Sequence, residues 1–352
     1  MKAFISIILV TSIIIGVLPI TSIALENETE VEYAMGLIVE ETYDIGEEGI
    51  VLYDSSVSLP TSIDLAPNFP TPGDQGVQES CVAWAVAYAL VSANEASKRG
   101  WSVSSTVHHF SPAFIYNQIN GGVDEGSKVT DALDLVIEQG VCTLNYFPYD
   151  QNDYTTQPSE IQRAAASMYK AASREYVGMT SMKKAISSGK GVLIGIRVYP
   201  DFTNLSSSND VYDTVYGESE GTHLICLIGY DDNKNAFKFI NSWGTSWGVG
   251  GYGWISYDLV ESTEVNTIQS GVGLVLNSEE TDDYVLGDVN GDGQVTAIDA
   301  RKALQIASSE MPLSAWEFVI SDVNGDAQVT AIDSRCILQY AGGYITKFPM
   351  YN

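Results

Sequence analysis

Twelve residues, Asp288-Val-Asn-Gly-Asp-Gly-Gln-Val-Thr-Ala-Ile-Asp299, return at 322–333 with one change, Ala327 in place of Gly293. A copy this close marks a duplicated structural unit. Its oxygen-bearing side chains alternate, which is how a loop wraps calcium, a hard cation taking six to eight oxygens at roughly 2.3–2.6 Å. The predicted donors are Asp288, Asn290, Asp292, the Gln294 carbonyl, Thr296 through water, and Asp299. In the copy they are Asp322, Asn324, Asp326, the Gln328 carbonyl, Thr330 and Asp333. Two calcium ions are therefore expected. The sixth loop position favours a left-handed turn, easy for Gly293 and strained by roughly 1–2 kcal/mol for Ala327. The second site is expected to be the weaker.

A short polar stretch, 277–283, separates this region (284–352) from a larger one, 58–276. There Cys81 to Ala96 has helical periodicity, and Thr130 to Glu138 and Ser181 to Ser188 read as further helices. Strand-like runs follow at Gly191–Val198, His223–Gly229, Ala236–Ile240, Tyr252–Ser256 and Gly271–Leu276. Helices first and strands later predict an α+β domain of two lobes. Residues 25–57 hold ten acidic side chains and no basic one. They read as an acidic pro-segment or N-terminal extension, in which Met35–Val39 and Ile50–Tyr53 can pair as strands. Residues 1–24 have a basic start, an apolar run and the small-residue exit Ser22-Ile23-Ala24. That pattern predicts a signal peptide and a secreted, extracellular mature protein with no membrane span. A net charge of −28 with only 17 Lys and Arg argues against a nucleic-acid partner.

Asp74-Gln75-Gly-Val-Gln-Glu-Ser-Cys81-Val-Ala-Trp84 leads into the first predicted helix. A cysteine at a helix start lies where backbone N–H groups favour thiolate. Such a nucleophile needs a base, and His223 begins an apolar strand. Asn241-Ser-Trp-Gly-Thr-Ser-Trp-Gly248 follows another strand and supplies an amide to orient the imidazole. His108 and His109 are expected at the surface, and Cys142, Cys226 and Cys336 as buried thiols.

With these motifs in place, residues 58–276 resemble the papain-like cysteine peptidases, a family that includes the cathepsins. The resemblance rests on Gln75 six residues before Cys81, on His223, on the Asn241-Ser-Trp-Gly motif, on Leu59-Pro60, on Pro148-Tyr149 and on Gly253-Trp254-Ile255. It implies a helical lobe plus a barrel-like β lobe, acting on polypeptide substrates as a monomer and needing no cofactor for catalysis. Cys81 would attack, His223 would carry the proton and Asn241 would orient it. Gln75 and the Cys81 N–H would form the oxyanion hole. Trp243 would shield the His–Asn bond and Trp247 would border the leaving-group side. Gly121-Gly122 or Gly126-Ser127 would hold the substrate strand. The chain departs from the family at Gln78, where a disulfide cysteine is usual, at Val82, usually aromatic, and in having about 33 residues where cathepsins carry a long helical pro-domain.

The duplicated loops resemble the dockerin type I family, a small all-α module in which each calcium loop precedes one helix. That resemblance implies a cohesin domain of a scaffold protein as partner, in a complex like a cellulosome. Ala297, Ile298, Leu304 and Gln305, mirrored by Ala331, Ile332, Leu338 and Gln339, would form the recognition face. The rival class is a catalytically silent papain-fold module kept for binding or inhibition.

Overall fold

Apolar runs long enough to be covered on both faces dominate the region from 192 to 240. In the computed structural model of the chain they form the middle of one mixed sheet. The structure describes residues 33–43, 58–269, 271–278, 284–308 and 314–351. The expected signal peptide at 1–24, most of the acidic stretch 25–57 with its expected strand Ile50–Tyr53, and positions 279–283 of the expected linker lie outside the described residues.

The strands are β1 (Ser62–Asp64), β2 (Ala171–Gly178), β3 (Val192–Val198), β4 (Val211–Tyr212), β5 (Gly221–Asp231), β6 (Ala236–Ile240), β7 (Tyr252–Ser256) and β8 (Val272–Ser278). Their order is β2-β8-β3-β5-β6-β7-β4, with β1 also paired to β5. The antiparallel register sets Ile196 of β3 opposite His223, and Cys226 of β5 opposite Ile240. His223 is thereby fixed on a central strand, and Asn241 emerges from the end of the neighbouring one.

The other lobe is helical. A continuous helix over 81–99 starts at Cys81 and winds as a wider π-type helix over Trp84–Val91. It stops at Gly100, whose φ of +68° suits a glycine. Pro112–Ile119, Val129–Glu138 and Glu160–Ala166 complete the lobe. The first of these is capped by Ser111, which accepts the Phe114 N–H. Pro112–Ile119, Glu160–Ala166 and β2 are elements beyond those expected from the sequence. His108 and His109, expected at the surface, are both buried. The His108 ring stacks on Trp101 at 4.4 Å and its Nε2 meets the Met350 carbonyl at 2.7 Å. His109 Nε2 meets the Val103 carbonyl at 2.9 Å. Aromatic stacking and satisfied ring nitrogens make interior residues of them. All four cysteines are free and buried. Gln78, in the half-cystine position of the resemblance, is buried and directs its amide at the carbonyls of the 150–153 turn.

The C-terminal region is all-α. Helices Ala297–Ala307 and Ala331–Ala341 pack on each other, and the Ser334 hydroxyl donates to the Ala300 carbonyl at 2.7 Å. Each begins on its loop through a capping box, Thr296 with Asp299 and Thr330 with Asp333. A third helix, Ala315–Ser321, leads into the second loop and packs against Glu160–Ala166 of the helical lobe.

Candidate active site

Cys81, at 0% exposure, opens the long helix under the edge of β5. The backbone N–H of Leu224, the residue after His223, lies near the sulfur and favours its ionised form. His223 Nε2 lies 2.7 Å from Asn241 Oδ1. Since an amide oxygen only accepts, Nε2 carries the proton and Nδ1 is the ring's free base. That Nδ1 is buried with no hydrogen-bond partner. The Trp243 ring covers the imidazole at a centroid distance of 4.6 Å. Gln75 is clamped by Ser242: its N–H donates to the Ser242 carbonyl at 2.8 Å, and its Oε1 accepts the Ser242 hydroxyl at 2.6 Å. Its NH2 group is thus aimed into the cleft, beside the Cys81 N–H.

Residues 33–43 lie along this cleft. The Met35 carbonyl accepts from the Cys81 N–H at 3.1 Å and from Gln75 Nε2 at 3.2 Å. On one side, Tyr33 stacks on Trp243 at 4.4 Å and the Trp243 Nε1–H donates to the Ala34 carbonyl at 2.8 Å. On the other, the Ser127 N–H donates to the Gly36 carbonyl at 2.8 Å, and the Ser127 carbonyl accepts the Ile38 N–H at 2.9 Å. Leu37, buried, exchanges bonds with Thr222: its N–H reaches the Thr222 carbonyl at 3.2 Å and its carbonyl accepts the Thr222 hydroxyl at 2.6 Å. The pairing of Leu37 with Ser127 is parallel. The extended shape of Met35–Val39 was legible, and its described partners are Ser127 and Thr222.

Burial sets the electrostatics of the pair. Burial pushes the Cys81 thiol well up from its ordinary value and brings His223 down to about 4. Taking charge out of water disfavours both ions, so with the segment in place the pair rests as neutral thiol and neutral imidazole.

Of the glycines expected to hold a substrate strand, Gly126 is the one that lies against the segment. A Cβ there would lie 2.3 Å from the Gly36 carbonyl oxygen, whereas the space beside Gly121 and Gly122 is open. Trp247 is buried behind the cleft, with its indole N–H on the Thr203 carbonyl at 3.2 Å and its ring 5.3 Å from Trp243. Trp243, not Trp247, meets the segment.

In the repeats, Gly293 and Ala327 have φ of +86° and +62°, the left-handed turn expected of the sixth position. Asp299 and Asp333 are fully buried and fixed by the Thr296 and Thr330 backbone N–H and hydroxyl groups. Asp333 Oδ1 is buried without a partner. Burial, with Asp333 and Asp326 close by, pushes Asp322 up to about 7. Among the described residues no three His, Cys, Asp or Glu side chains gather into a metal site by themselves. Calcium loops also use amide, hydroxyl and carbonyl oxygens, and the orphaned oxygen among crowded carboxylates suits a cation. Ile298, Leu304, Ile332 and Leu338 are exposed, as are Ala297, Gln305 and Ala331, while Gln339 is half-buried.

The sequence model for papain family cysteine proteases matches residues 59–271. An uncharacterized peptidase C1-like protein of Acanthamoeba polyphaga mimivirus is 26% identical over 198 residues, which are 51% of this chain and 62% of that protein. The match thus spans less than two thirds of that relative. A cathepsin B-like protein of Giardia intestinalis is 25% identical over 209 residues, 55% of this chain and 68% of its own. Xylellain, a cysteine protease from Xylella fastidiosa, shares the fold with a TM-score of 0.59 at 24% identity, covering 70% of this chain and 97% of its own.

Proposed function

This chain belongs to the papain family of cysteine proteases, and from that premise we propose that it is a secreted endopeptidase, made latent by residues 33–43 and anchored by its C-terminal module. Cys81 attacks the peptide carbonyl while its proton passes to His223. The oxyanion is held by the Cys81 N–H and the Gln75 amide. His223, oriented by Asn241, then protonates the leaving amine, and water, activated by the same imidazole, hydrolyses the thioester. The observation that carries this reading is the Met35 carbonyl, gripped by both of those donors. It occupies the place where a scissile carbonyl would sit.

The same segment supports latency. His223 and Trp243 mark the side to which the leaving amine, the C-terminal half of a substrate, departs. Here that side holds Tyr33 and Ala34, the N-terminal end of the segment, while Leu37 and Ile38 lie towards Ser127. The segment therefore runs backwards, and the nitrogen of the Met35–Gly36 bond is carried away from the base. Residues 33–43 inhibit without being cut.

For 284–352 the reading is a dockerin. The duplicated loops would hold one calcium each, and the exposed apolar face would meet a cohesin on a scaffold. Its support is the left-handed sixth position, the buried aspartates and four exposed large apolar residues in matched pairs. The apolar leader at 3–20 supports export. Among the described residues no helix is long and apolar enough to cross a membrane. The test is proteolysis of an unfolded protein by the chain freed of residues 1–57. We expect cleavage, and none after Cys81→Ala; activity surviving that change would refute the assignment.

A further inference from the structure

The two calcium loops differ in what surrounds their first aspartate. Asp288 accepts the N–H groups of Gly291 (2.9 Å), Asp292 (3.2 Å) and Gly293 (2.7 Å). Asp322 repeats this set, from Gly325 (2.8 Å), Asp326 (3.2 Å) and Ala327 (2.9 Å). It has one donor more. The hydroxyl of Tyr146, from the peptidase lobe, donates to Asp322 Oδ2 at 2.7 Å. The adjacent Asn145 donates its side-chain amide to the Gly325 carbonyl at 2.8 Å.

The turn that carries both residues is tied to its own lobe by hydrogen bonds. Thr143 bridges to Phe110, the Tyr146 N–H donates to the Thr143 carbonyl at 3.0 Å, and Gln162 Nε2 donates to the Tyr146 carbonyl at 2.8 Å. The chain's last turn binds the same place from the far side. The Met350 N–H donates to the Val323 carbonyl at 3.2 Å while the Met350 carbonyl meets His108 Nε2 at 2.7 Å. Asp322 is sealed by these contacts, at 0% exposure.

Seating the module on the lobe thus buries a carboxylate that faces Asp326 and Asp333. Such burial is costly unless a cation neutralises the group. A hydrogen bond to the outer oxygen of a ligating carboxylate also fixes its orientation, and losing such a partner costs about 10- to 100-fold in metal affinity. We propose that Tyr146 is an outer partner of the second calcium site, so that calcium in that loop and the seating of the module on the peptidase lobe reinforce each other. The proposal rests on the calcium reading of the loops. Tyr146 acts through Asp322 as a positioning residue, and the coupling is reciprocal by linkage. It gives the second loop, strained at Ala327, a support that the first loop does not need.

The test is calorimetric titration of the full chain with calcium, for the wild type and for Tyr146→Phe, which keeps the ring and removes only the hydroxyl. Asp333→Asn identifies the second site, and hydrogen exchange follows the 143–147 turn. We expect two sites in the wild type. Tyr146→Phe should weaken the second by at least about tenfold and leave the first unchanged as internal control. Calcium should slow exchange at 143–147 in the wild type and not in Asp333→Asn. Two sites of wild-type affinity in Tyr146→Phe, or exchange at 143–147 indifferent to calcium, would overturn the joint and spare the calcium reading. A wild type that takes no calcium would overturn both.

Discussion

At Gly36 the absence of one carbon decides whether the cleft is closed. Its φ is +100°, and a Cβ there would lie 2.0 Å from the Glu79 carbonyl oxygen. No side-chain adjustment relieves a clash with backbone, and the left-handed conformation adds strain. Gly36→Ala should therefore dislodge the segment. Peptidase activity of the unprocessed chain should rise, while the chain freed of 1–57 should be unchanged, measured on one fluorogenic peptide. Gln75 is the complementary case. Its amide is held by Ser242 and points at the carbonyl oxygen of whatever fills the cleft. Gln75→Ala in the processed enzyme should lower kcat by about 10²- to 10³-fold, as loss of one oxyanion donor does, with KM little altered. Gln75, Cys81, His223 and Asn241 were legible because each lies in a short local motif. Gly36 was not, because its requirement comes from Glu79, which is remote in sequence. The burial of His108 depends in part on Met350, which is equally remote, whereas Trp101 and Val103 lie six or seven residues away in a stretch without helical or strand periodicity.

The cleft segment is an element with its own pH dependence. In the covered cleft burial holds His223 down to about 4, against an ordinary imidazole value of 6.5. A depressed folded-state value means that protons favour the uncovered or unfolded form. The stability of the covered form is fully present above about pH 6.5 and is lost progressively as pH falls towards 4. Removal of residues 33–43 by added protease should accelerate across that window, followed by mass spectrometry; a rate constant from pH 7 to 4 would contradict it. The apolar run Met35–Val39 made an extended conformation legible but not its partners, because an apolar run reports that a segment is buried and not by what. The helix starting at Cys81 was easy to see for the opposite reason: its period persists over several turns. Its π-type winding leaves no such trace.

At the scale of the molecule, two loops and the helices that follow them were readable from a repeat. The docking of that module on the helical lobe was not, since it depends on Tyr146, Asn145 and His108 finding Asp322, Gly325 and Met350. The exposed face of Ile298, Leu304, Ile332 and Leu338 remains clear for a partner. Chelation of calcium should abolish capture by an immobilised cohesin, while the processed peptidase keeps its activity. Capture that persists in excess chelator would refute the dockerin reading. The most direct test of the whole reading is labelling of Cys81 by a thiol-directed epoxide, located by peptide mass spectrometry, before and after removal of residues 1–57. A sulfur that is covered and neutral under its own N-terminal segment, and ionised beside His223 once uncovered, predicts negligible reaction in the intact chain and one adduct at Cys81 once the segment is gone. Equal labelling of both forms would contradict the masking, and no adduct in the trimmed, folded chain would contradict the nucleophile itself.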